Sequence, residues 1–212
     1  MKIGIIGAGN VGTGLGKLLV VKGHEIVVSF ARSSEKVDEA AKMIGSGVKP
    51  GTPEDAARFG DVVILATPWN VTLETLAKVA APLSGKILWD TTNALKPDMS
   101  GLILGTTTSA GEEVAKVASG AKVVKAISPF AELLHSPSLL IHGEKPGVFV
   151  CGGDANAKSI IIGLVDDIGA APADAGPLSN ARYTEPLGML LVQLAYMQKL
   201  GVRIGTKFMN QS

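Results

Sequence analysis

Short apolar runs alternate with longer amphipathic stretches along most of this chain. The runs have the length of strands, and the stretches repeat their apolar positions at the spacing of one helix face. This alternation predicts a parallel sheet whose strands are joined by crossover helices. The predicted strands cover residues 2–6, 25–29, a weak run near Val48, 61–66, 86–90, 122–126 and 147–151. The predicted helices cover residues 11–22, 34–44, 53–59, 71–80, 110–118, 156–168 and 179–200, with Asp55 in the first turn of the third and Asp154 as the cap of the sixth.

Two loop-like segments interrupt the pattern at residues 101–108 and 133–146. We place a domain boundary near the second. The sequence therefore predicts an α/β fold of the Rossmann type, with a doubly wound parallel sheet in residues 1–130. Residues 131–212 form a small C-terminal α/β extension in this interpretation. It ends in a long helix, packs on the first domain and covers the active-site cleft.

A glycine-rich turn follows the first predicted strand directly and precedes the first predicted helix. In a GxGxxG turn the first glycine allows the tight turn and the second lets backbone N–H groups approach a pyrophosphate. The third lets the helix pack close to the sheet. The phosphates then lie at a helix N-terminus, where unpaired N–H groups and the helix dipole favour negative charge. The turn predicts a dinucleotide site made by Gly7, Ala8, Gly9, Asn10, Val11 and Gly12.

Composition narrows the function classes. With 212 residues and a mass of 21.8 kDa, the chain is too short for a dehydrogenase of two full domains. Its formal net charge of +1 does not favour nucleic acid or an anionic membrane as a partner. The single cysteine, Cys151, forms no internal disulfide, and three scattered histidines lack metal-ligand spacing, so no metal site is expected. The chain begins with a strand and has no bilayer-length apolar stretch, so we expect a cytoplasmic protein that binds small molecules.

The end of the second strand indicates which dinucleotide binds. A site for NAD has an Asp or Glu there to accept hydrogen bonds from the ribose 2′-hydroxyl. This strand ends at Ser29 without an acid, and Arg32, Ser33 and Lys36 follow. A guanidinium binds a 2′-phosphate bidentately and hydroxyls donate to it, whereas a carboxylate would repel it. These four residues therefore predict an NADP site; the alternative is that Arg32 and Lys36 are solvated loop charges.

Segments that follow the fourth and fifth strands lie at the carboxyl edge of the sheet, where open α/β folds bind ligands. Thr67, Pro68 and Trp69 follow the fourth strand, and Asn93 ends the polar stretch after the fifth. Trp69 either lines the pocket or fills a loop against the first helix. Asn93 is predicted to hydrogen-bond the cofactor amide.

No pair of side chains suited to acid-base catalysis stands out in the sequence. Dehydrogenation of an alcohol generally needs a group that moves a proton. Lys125, His135 and His142 are the only candidates near the carboxyl edge. Hydride transfer between two bound redox cofactors makes no such demand, because the rings carry the chemistry and the protein orients them. The sequence therefore predicts no catalytic residue and favours a reductase that acts between cofactors.

The most specific motif lies near the C-terminus. Residues 174–182 read DAGPLSNAR and lead into a long helix that contains Glu185-Pro186-Leu187. Together with Pro68-Trp69 and VFVCGGD at 148–154, this stretch resembles the NADP oxidoreductases that use the deazaflavin coenzyme F420. The resemblance covers nearly the whole chain. It implies a small Rossmann enzyme that moves a hydride between NADP and the deazaflavin or a flavin-like acceptor. The N-terminal reductase domain of membrane metalloreductases is similar too.

The resemblance also implies site residues. The glycine turn would hold the pyrophosphate and the residues after the second strand the 2′-phosphate, while Pro68-Trp69 and the loop after the sixth strand would frame the nicotinamide. In that loop relatives often have an Asn-Thr or His-Thr pair, whereas this chain has Ile127-Ser128-Pro129-Phe130, in which Pro129 lacks a backbone donor. Arg182 would steer an anionic tail. The residues expected around the two rings are Ala126, Ser128, Pro129, Phe130, Leu178, Ser179 and Arg182.

Several alternatives stay open. One alternative is a reductase for a free flavin, a ferric complex or a small imine. Another is a non-catalytic module that senses NADP. Instead of lining the ring pocket, residues 176–182 could have the purely structural role of starting a helix, with Ser179 as its N-cap. The apolar residues of 186–200 belong to the core or else form a homodimer interface.

Overall fold

The computed structural model describes residues 1–30 and 33–210. Its strands are β1 (Lys2–Ile6), β2 (Glu25–Ser29), β3 (Lys49–Gly51), β4 (Val62–Leu65), β5 (Ile87–Asp90), β6 (Lys122–Lys125), β7 (Gly147–Gly152) and β8 (Ala171–Asp174). They form one sheet in the order β3-β2-β1-β4-β5-β6-β7-β8. The strand order changes direction between β1 and β4, which makes the sheet doubly wound and confirms the predicted fold class.

Helices cover both faces of the sheet. They are α1 (Asn10–Val20), α2 (Ser34–Ile44), α3 (Pro53–Phe59), α4 (Trp69–Val79), α5 (Ala110–Val117), α6 (Ala131–Leu134), α7 (Ala155–Asp167) and α8 (Ala181–Val192). Alternate strand residues point to opposite faces, so Ile5 packs under α1, α2, α6 and α7, while Ile6 packs under α3, α4 and α5. Two separate hydrophobic cores result, one on each side of the sheet.

Local signals for the helices agree closely with the structure. Helices α2 and α3 span the predicted residues. Asp55 and Thr52 form a capping box at α3, and the Asp154 carboxylate accepts a hydrogen bond from the Ala157 amide at the start of α7. The short helix α6 was not expected, because it lies across the start of the segment predicted to be a loop.

The prediction of a wholly parallel sheet is wrong for one strand. β7 pairs with β6 in the antiparallel sense, with Val124 opposite Gly152 and Lys125 opposite Cys151. β8, which was not predicted, then pairs with β7 in parallel. Because β7 runs backwards, its first residues reach the carboxyl edge of the other strands. The predicted boundary near residue 130 falls between two strands of one sheet, and the division into two domains stays a prediction.

The last helical segment is less regular than the hydrophobic pattern predicts, because it consists of three helical types. A 3₁₀ turn at Leu178–Asn180 precedes α8, and a π-helical turn at Gln193–Met197 follows it. Ser179 lies inside the 3₁₀ turn, and α8 has no side-chain cap, so the expected Ser179 N-cap is wrong. The chain then turns back, and the Thr206 carbonyl accepts a hydrogen bond of 2.7 Å from the Gly147 amide at the start of β7.

Candidate functional site: a glycine turn beside an apolar cavity

The glycine turn between β1 and α1 is closely packed at its first and third glycines. Gly7 has φ +129°, and a Cβ there would lie 2.4 Å from the Ala66 carbonyl oxygen. A Cβ on Gly12 would lie 1.8 Å from the Gly7 carbonyl oxygen. Neither position has room for a side chain, because the neighbouring atoms belong to the backbone. The turn and its approach to the sheet therefore depend on glycine.

The second glycine of the turn has open space around it. A Cβ on Gly9 would have no neighbour within 4 Å among the described residues. Gly9 is the N-cap of α1, and within the described structure no side chain caps this helix and no acid lies in its first turn. Its first N–H groups are thus available to an anion, which suits a pyrophosphate. The Ala8 amide differs, because it donates to the Phe30 carbonyl.

The end of β2 is described only in part. Ser29 is buried, and its hydroxyl donates to the Ile5 carbonyl on β1 at 2.9 Å, so the structure places it between strands. Arg32 lies outside the described residues. Ser33 is the exposed N-cap of α2, and its hydroxyl lowers the pKa of the Glu35 carboxyl. Lys36 is exposed and pairs with Glu39 at 2.8 Å.

The segment after β4 leads straight into α4. The Thr67 and Thr72 hydroxyls are 2.8 Å apart and buried. Pro68 precedes the helix, and Trp69 is its first residue. Trp69 packs half-buried against the core beneath α3, α4 and α5. The expectation that it fills a loop against α1 is therefore wrong, because α1 covers the other face of the sheet.

Three charged side chains form a buried cluster beneath the carboxyl edge. The Lys125 ammonium lies 2.9 Å from an Asp90 oxygen and 3.1 Å from a Glu185 oxygen, and it also donates to the Thr92 carbonyl. Asp90 accepts from the Thr92 amide and hydroxyl. All three residues are at most 2% exposed. Lys125 is therefore held by partners and is not free to act as an acid or base at the edge.

Glu185 joins this cluster to two other elements. Its carboxylate accepts from the Ala110 and Gly111 amides at 2.8 and 3.0 Å, at the N-terminus of α5. Its backbone carbonyl accepts from the Asn93 side-chain amide at 3.1 Å. Glu185 therefore fixes α8 against the segment after β5. No role was predicted for Glu185 from the sequence, although a charged residue in an apolar helix is a visible signal.

A cavity of about 200 Å³ lies at the carboxyl edge, next to the first turn of α1. Segments from both halves of the chain form its walls. It is lined by Val11, Thr91, Asn93, Leu95, Ile127, Ser128, Pro129, Phe130, Ala131, Pro146, Gly147, Val148, Phe149, Thr184, Leu187, Gly188, Leu191, Val192, Ile204, Gly205 and Thr206.

The chemistry of this wall is unusual in two respects. None of the described residues that line it carries a titratable side chain. Two polar atoms of its lining residues, Asn93 Oδ1 and Thr184 Oγ1, are buried and have no hydrogen-bond partner in the described structure. Buried polar atoms of this kind are rare and call for a bound partner. The cavity therefore suits a flat, largely apolar ligand with a few polar atoms at its edge.

Only some of the residues predicted around the rings meet at this cavity. Ser128, Pro129 and Phe130 line it, as do Asn93, which was predicted at the cofactor amide, and Val11, which was predicted at the pyrophosphate. Residues of α8 and of the C-terminal segment that were not predicted line it too. Ala126 is buried, and its carbonyl accepts from the Trp89 indole at 2.8 Å.

The predicted substrate residues around the start of α8 lie elsewhere. Arg182 binds Glu112 bidentately at 2.8 and 2.6 Å, and this guanidinium lowers the pKa of the Glu112 carboxyl. Leu178 packs with the core under α5, and Ser179 is exposed. The cavity is instead reached one turn later, from Thr184 onward. Because the 3₁₀ turn occupies Leu178–Asn180, α8 begins only at Ala181.

The two histidines considered near the edge have different surroundings. His135 Nε2 lies 2.9 Å from the Asn10 carbonyl, so it donates to the first turn of α1, and its Nδ1 lies 3.4 Å from the Lys17 ammonium. His142 is exposed in a tight turn. Across residues 1–30 and 33–210, no group of His, Cys, Asp or Glu could hold a metal ion, and no helix is long and apolar enough to cross a membrane.

The doubly wound sheet, the glycine turn and the open N-terminus of α1 define a dinucleotide-binding protein of the Rossmann class. Comparison with known proteins agrees. The family described as "NADP oxidoreductase coenzyme F420-dependent" matches residues 2–94. An F420-dependent NADP reductase of Methanocaldococcus jannaschii is 33% identical over 96% of this chain and 98% of its own length. The chain belongs to this family.

Two further relatives place the chain within a wider group. A solved structure from Arthrobacter sp. FB24, provisionally assigned as an F420-dependent NADP reductase, has a TM-score of 0.87 and 27% identity, and the match covers 99% of this chain and all of that one. The metalloreductase STEAP3 of Rattus norvegicus is 27% identical over 90% of this chain but only 37% of its own length. The resemblances read from the sequence are thus confirmed.

Proposed function

We propose that the protein transfers a hydride between NADP(H) and a deazaflavin, coenzyme F420, or a flavin-like acceptor. One observation carries the proposal: the cavity beside the dinucleotide turn is apolar and is lined by no titratable side chain among the described residues. Reduction of a carbonyl needs a proton donor at the reacting atom. Hydride transfer between two rings needs mainly their orientation and the exclusion of water.

The residues present fit a dinucleotide. Gly9 leaves open space, and the uncapped start of α1 presents N–H groups where a pyrophosphate would lie. Val11, in the same first turn, also lines the cavity, so a ligand bound at the turn reaches the cavity directly. When bound, NADPH supplies two electrons and one proton as a hydride, and the acceptor takes its second proton from solvent.

The chain's own contribution to the reaction is then to hold the two rings together. Ile127, Phe130, Leu187 and Leu191 provide apolar walls. Asn93 Oδ1 lacks a partner and would accept a hydrogen bond from the nicotinamide carboxamide. Exclusion of water by these walls protects the hydride from side reactions.

An acceptor panel tests this function. We expect the purified protein to oxidise NADPH with a deazaflavin as acceptor, more slowly with FMN, and hardly at all with a ferric complex or a cyclic imine. Turnover only with the ferric complex or only with the imine would contradict the proposal and support the corresponding rival. Tight NADPH binding without turnover on any acceptor would support the sensing module.

The choice of NADP over NAD is tested at Arg32. Replacing Arg32 by alanine should raise the Kd for NADPH about 10- to 100-fold and leave that for NADH nearly unchanged, because a charge-assisted contact to the 2′-phosphate is lost. Titration of both nucleotides by fluorescence measures this. Lys42→Ala, at the exposed far end of α2, is the matched control and should change neither Kd. Equal losses for both nucleotides would contradict a role in selection.

The predicted homodimer also stays a proposal. Large apolar side chains are exposed on and just after α8, at 73% for Tyr183, 52% for Leu190 and 63% for Leu200. A second copy that packs on this face would cover them.

A further inference from the structure

Thr184 contributes an unusual hydroxyl to the cavity. Its Oγ1 is buried and has no hydrogen-bond partner in the described part of the chain. The buried Cys151 thiol lies beside it, but burial raises the pKa of that thiol, which therefore stays protonated and offers only a weak hydrogen bond. An unpaired buried hydroxyl costs free energy in the absence of a ligand. In the ligand-free protein this hydroxyl therefore has at most a weak contact with the Cys151 thiol.

Other threonines in the helices of this chain behave differently. Thr13, Thr72 and Thr75 each donate to the carbonyl four residues earlier, at 2.8 to 2.9 Å. This is the usual bond for a threonine in a helix. Thr184 has no such bond within the described structure, and the residue four positions earlier belongs to the 3₁₀ turn. Its hydroxyl is thus left over for a contact outside its own helix.

Thr184 is also the only polar side chain that α8 brings to the cavity. The other lining residues of this helix are Leu187, Gly188, Leu191 and Val192. A Cβ on Gly188 would lie 3.1 Å from the Asn93 side-chain nitrogen, so glycine lets α8 approach the segment after β5 closely. The Asn93 amide orientation is fixed by its bond to the Glu185 carbonyl, because the flipped amide would oppose two oxygens.

We propose that Thr184 is a specificity-determining residue that hydrogen-bonds the polar edge of a planar heterocyclic acceptor. The acceptor class is a fused ring with a cyclic imide, in which an N–H lies between two carbonyl groups. The Thr184 hydroxyl accepts a hydrogen bond from this N–H, while the apolar walls contact the ring faces. A neutral, mostly apolar wall offers nothing to a charged ferric complex. This inference rests on the proposed function and names the part of the acceptor that the site recognises.

Two enzymes and two acceptors test the inference. Thr184→Val removes the hydroxyl and keeps the shape, and a deazaflavin methylated on its imide nitrogen removes the N–H and crowds that edge. We expect Thr184→Val to lower kcat/KM about tenfold with the unmodified deazaflavin and less than about threefold with the methylated one. Thr184→Ser should restore most of the activity. The Kd for NADPH should stay within about twofold in both variants, since one neutral hydrogen bond to the acceptor is all that changes.

The outcomes separate this inference from the proposed function. If the unaltered protein reduces the deazaflavin and Thr184→Val does so equally well, the role of Thr184 is wrong and the function stands. Equal losses with both acceptors would mean a merely structural role and would overturn the inference. If the unaltered protein reduces neither acceptor, both are overturned together. A drop in thermal stability of Thr184→Val that Thr184→Ser shares would assign any loss to folding and likewise count against the inference.

Discussion

Replacing Gly12 by alanine should destabilise the fold by more than about 3 kcal/mol and abolish NADPH binding. The added Cβ would lie 1.8 Å from the Gly7 carbonyl oxygen and 3.1 Å from Ile5 Cγ2. The Gly7 backbone is held in place, because its amide donates to the Ser29 carbonyl at 2.9 Å. α1 must therefore shift away from the sheet. Urea unfolding and nucleotide titration measure the two losses.

Two other glycines provide controls for that experiment. A Cβ at Gly9 would meet no atom of the described residues within 4 Å, and Gly9 has an ordinary φ of −82°, so the unfolding free energy of Gly9→Ala should change by less than about 0.5 kcal/mol. It should still weaken NADPH binding at least tenfold, because the methyl group occupies the approach of the pyrophosphate. Gly163→Ala, on the exposed side of α7, should lower neither the affinity for NADPH nor the unfolding free energy. Loss of folding in Gly9→Ala, or unaltered binding in Gly12→Ala, would contradict this account of the turn.

Replacing Lys125 by methionine should cost about 3–5 kcal/mol of unfolding free energy. The side chain is fully buried, and its removal leaves the Asp90 and Glu185 carboxylates facing each other without a positive charge. The helix N-terminus at Ala110 and Gly111 compensates only part of this charge. Chemical denaturation followed by circular dichroism gives the value.

The matched control for this variant is Lys78→Met. Its ion pair with Glu74 is just as short, at 2.7 Å, but both side chains are more than 70% exposed. Its loss should cost no more than about 0.5 kcal/mol. If Lys125→Met were as mild as this control, the buried cluster would not be what joins β5, β6 and α8. Glu185→Gln should fall between the two, since it keeps the shape but weakens the contacts to two amides and the ammonium.

What could be predicted from the sequence was local. The glycine turn, the position of Asp55 in the first turn of α3, the cap at Asp154 and most helix limits depend on residues within a few positions of each other. The direction of β7 depends on a long connection whose path leaves no trace in its own residues, because apolar alternation is the same in either direction. β8 was missed since its four residues include Pro172 and precede a conspicuous motif.

The site was predictable to the same extent. Val11, Asn93 and Phe130, which line the cavity, could be expected at the carboxyl edge because each follows a strand there; their role as ligand contacts stays a prediction. Leu178, Ser179 and Arg182 were assigned to the pocket from a sequence motif alone, and the structure places the cavity one turn further along α8. Lys125 was considered as an acid-base candidate at the carboxyl edge, but it is buried in an ion cluster. This could not be predicted, because its partners Asp90 and Glu185 are 35 and 60 positions away and no local pattern connects them.

The two outermost strands of the sheet decide how copies of this protein can meet. β3 has three residues and contains Pro50, and β8 has four and contains Pro172. A proline offers no N–H to an added strand, and short edges give little length for pairing. The sheet is therefore protected at both ends against extension by a neighbouring chain, the route that leads to aggregates. We therefore expect any two copies that associate to do so through surfaces other than these two edges, so that the sheet stays at eight strands.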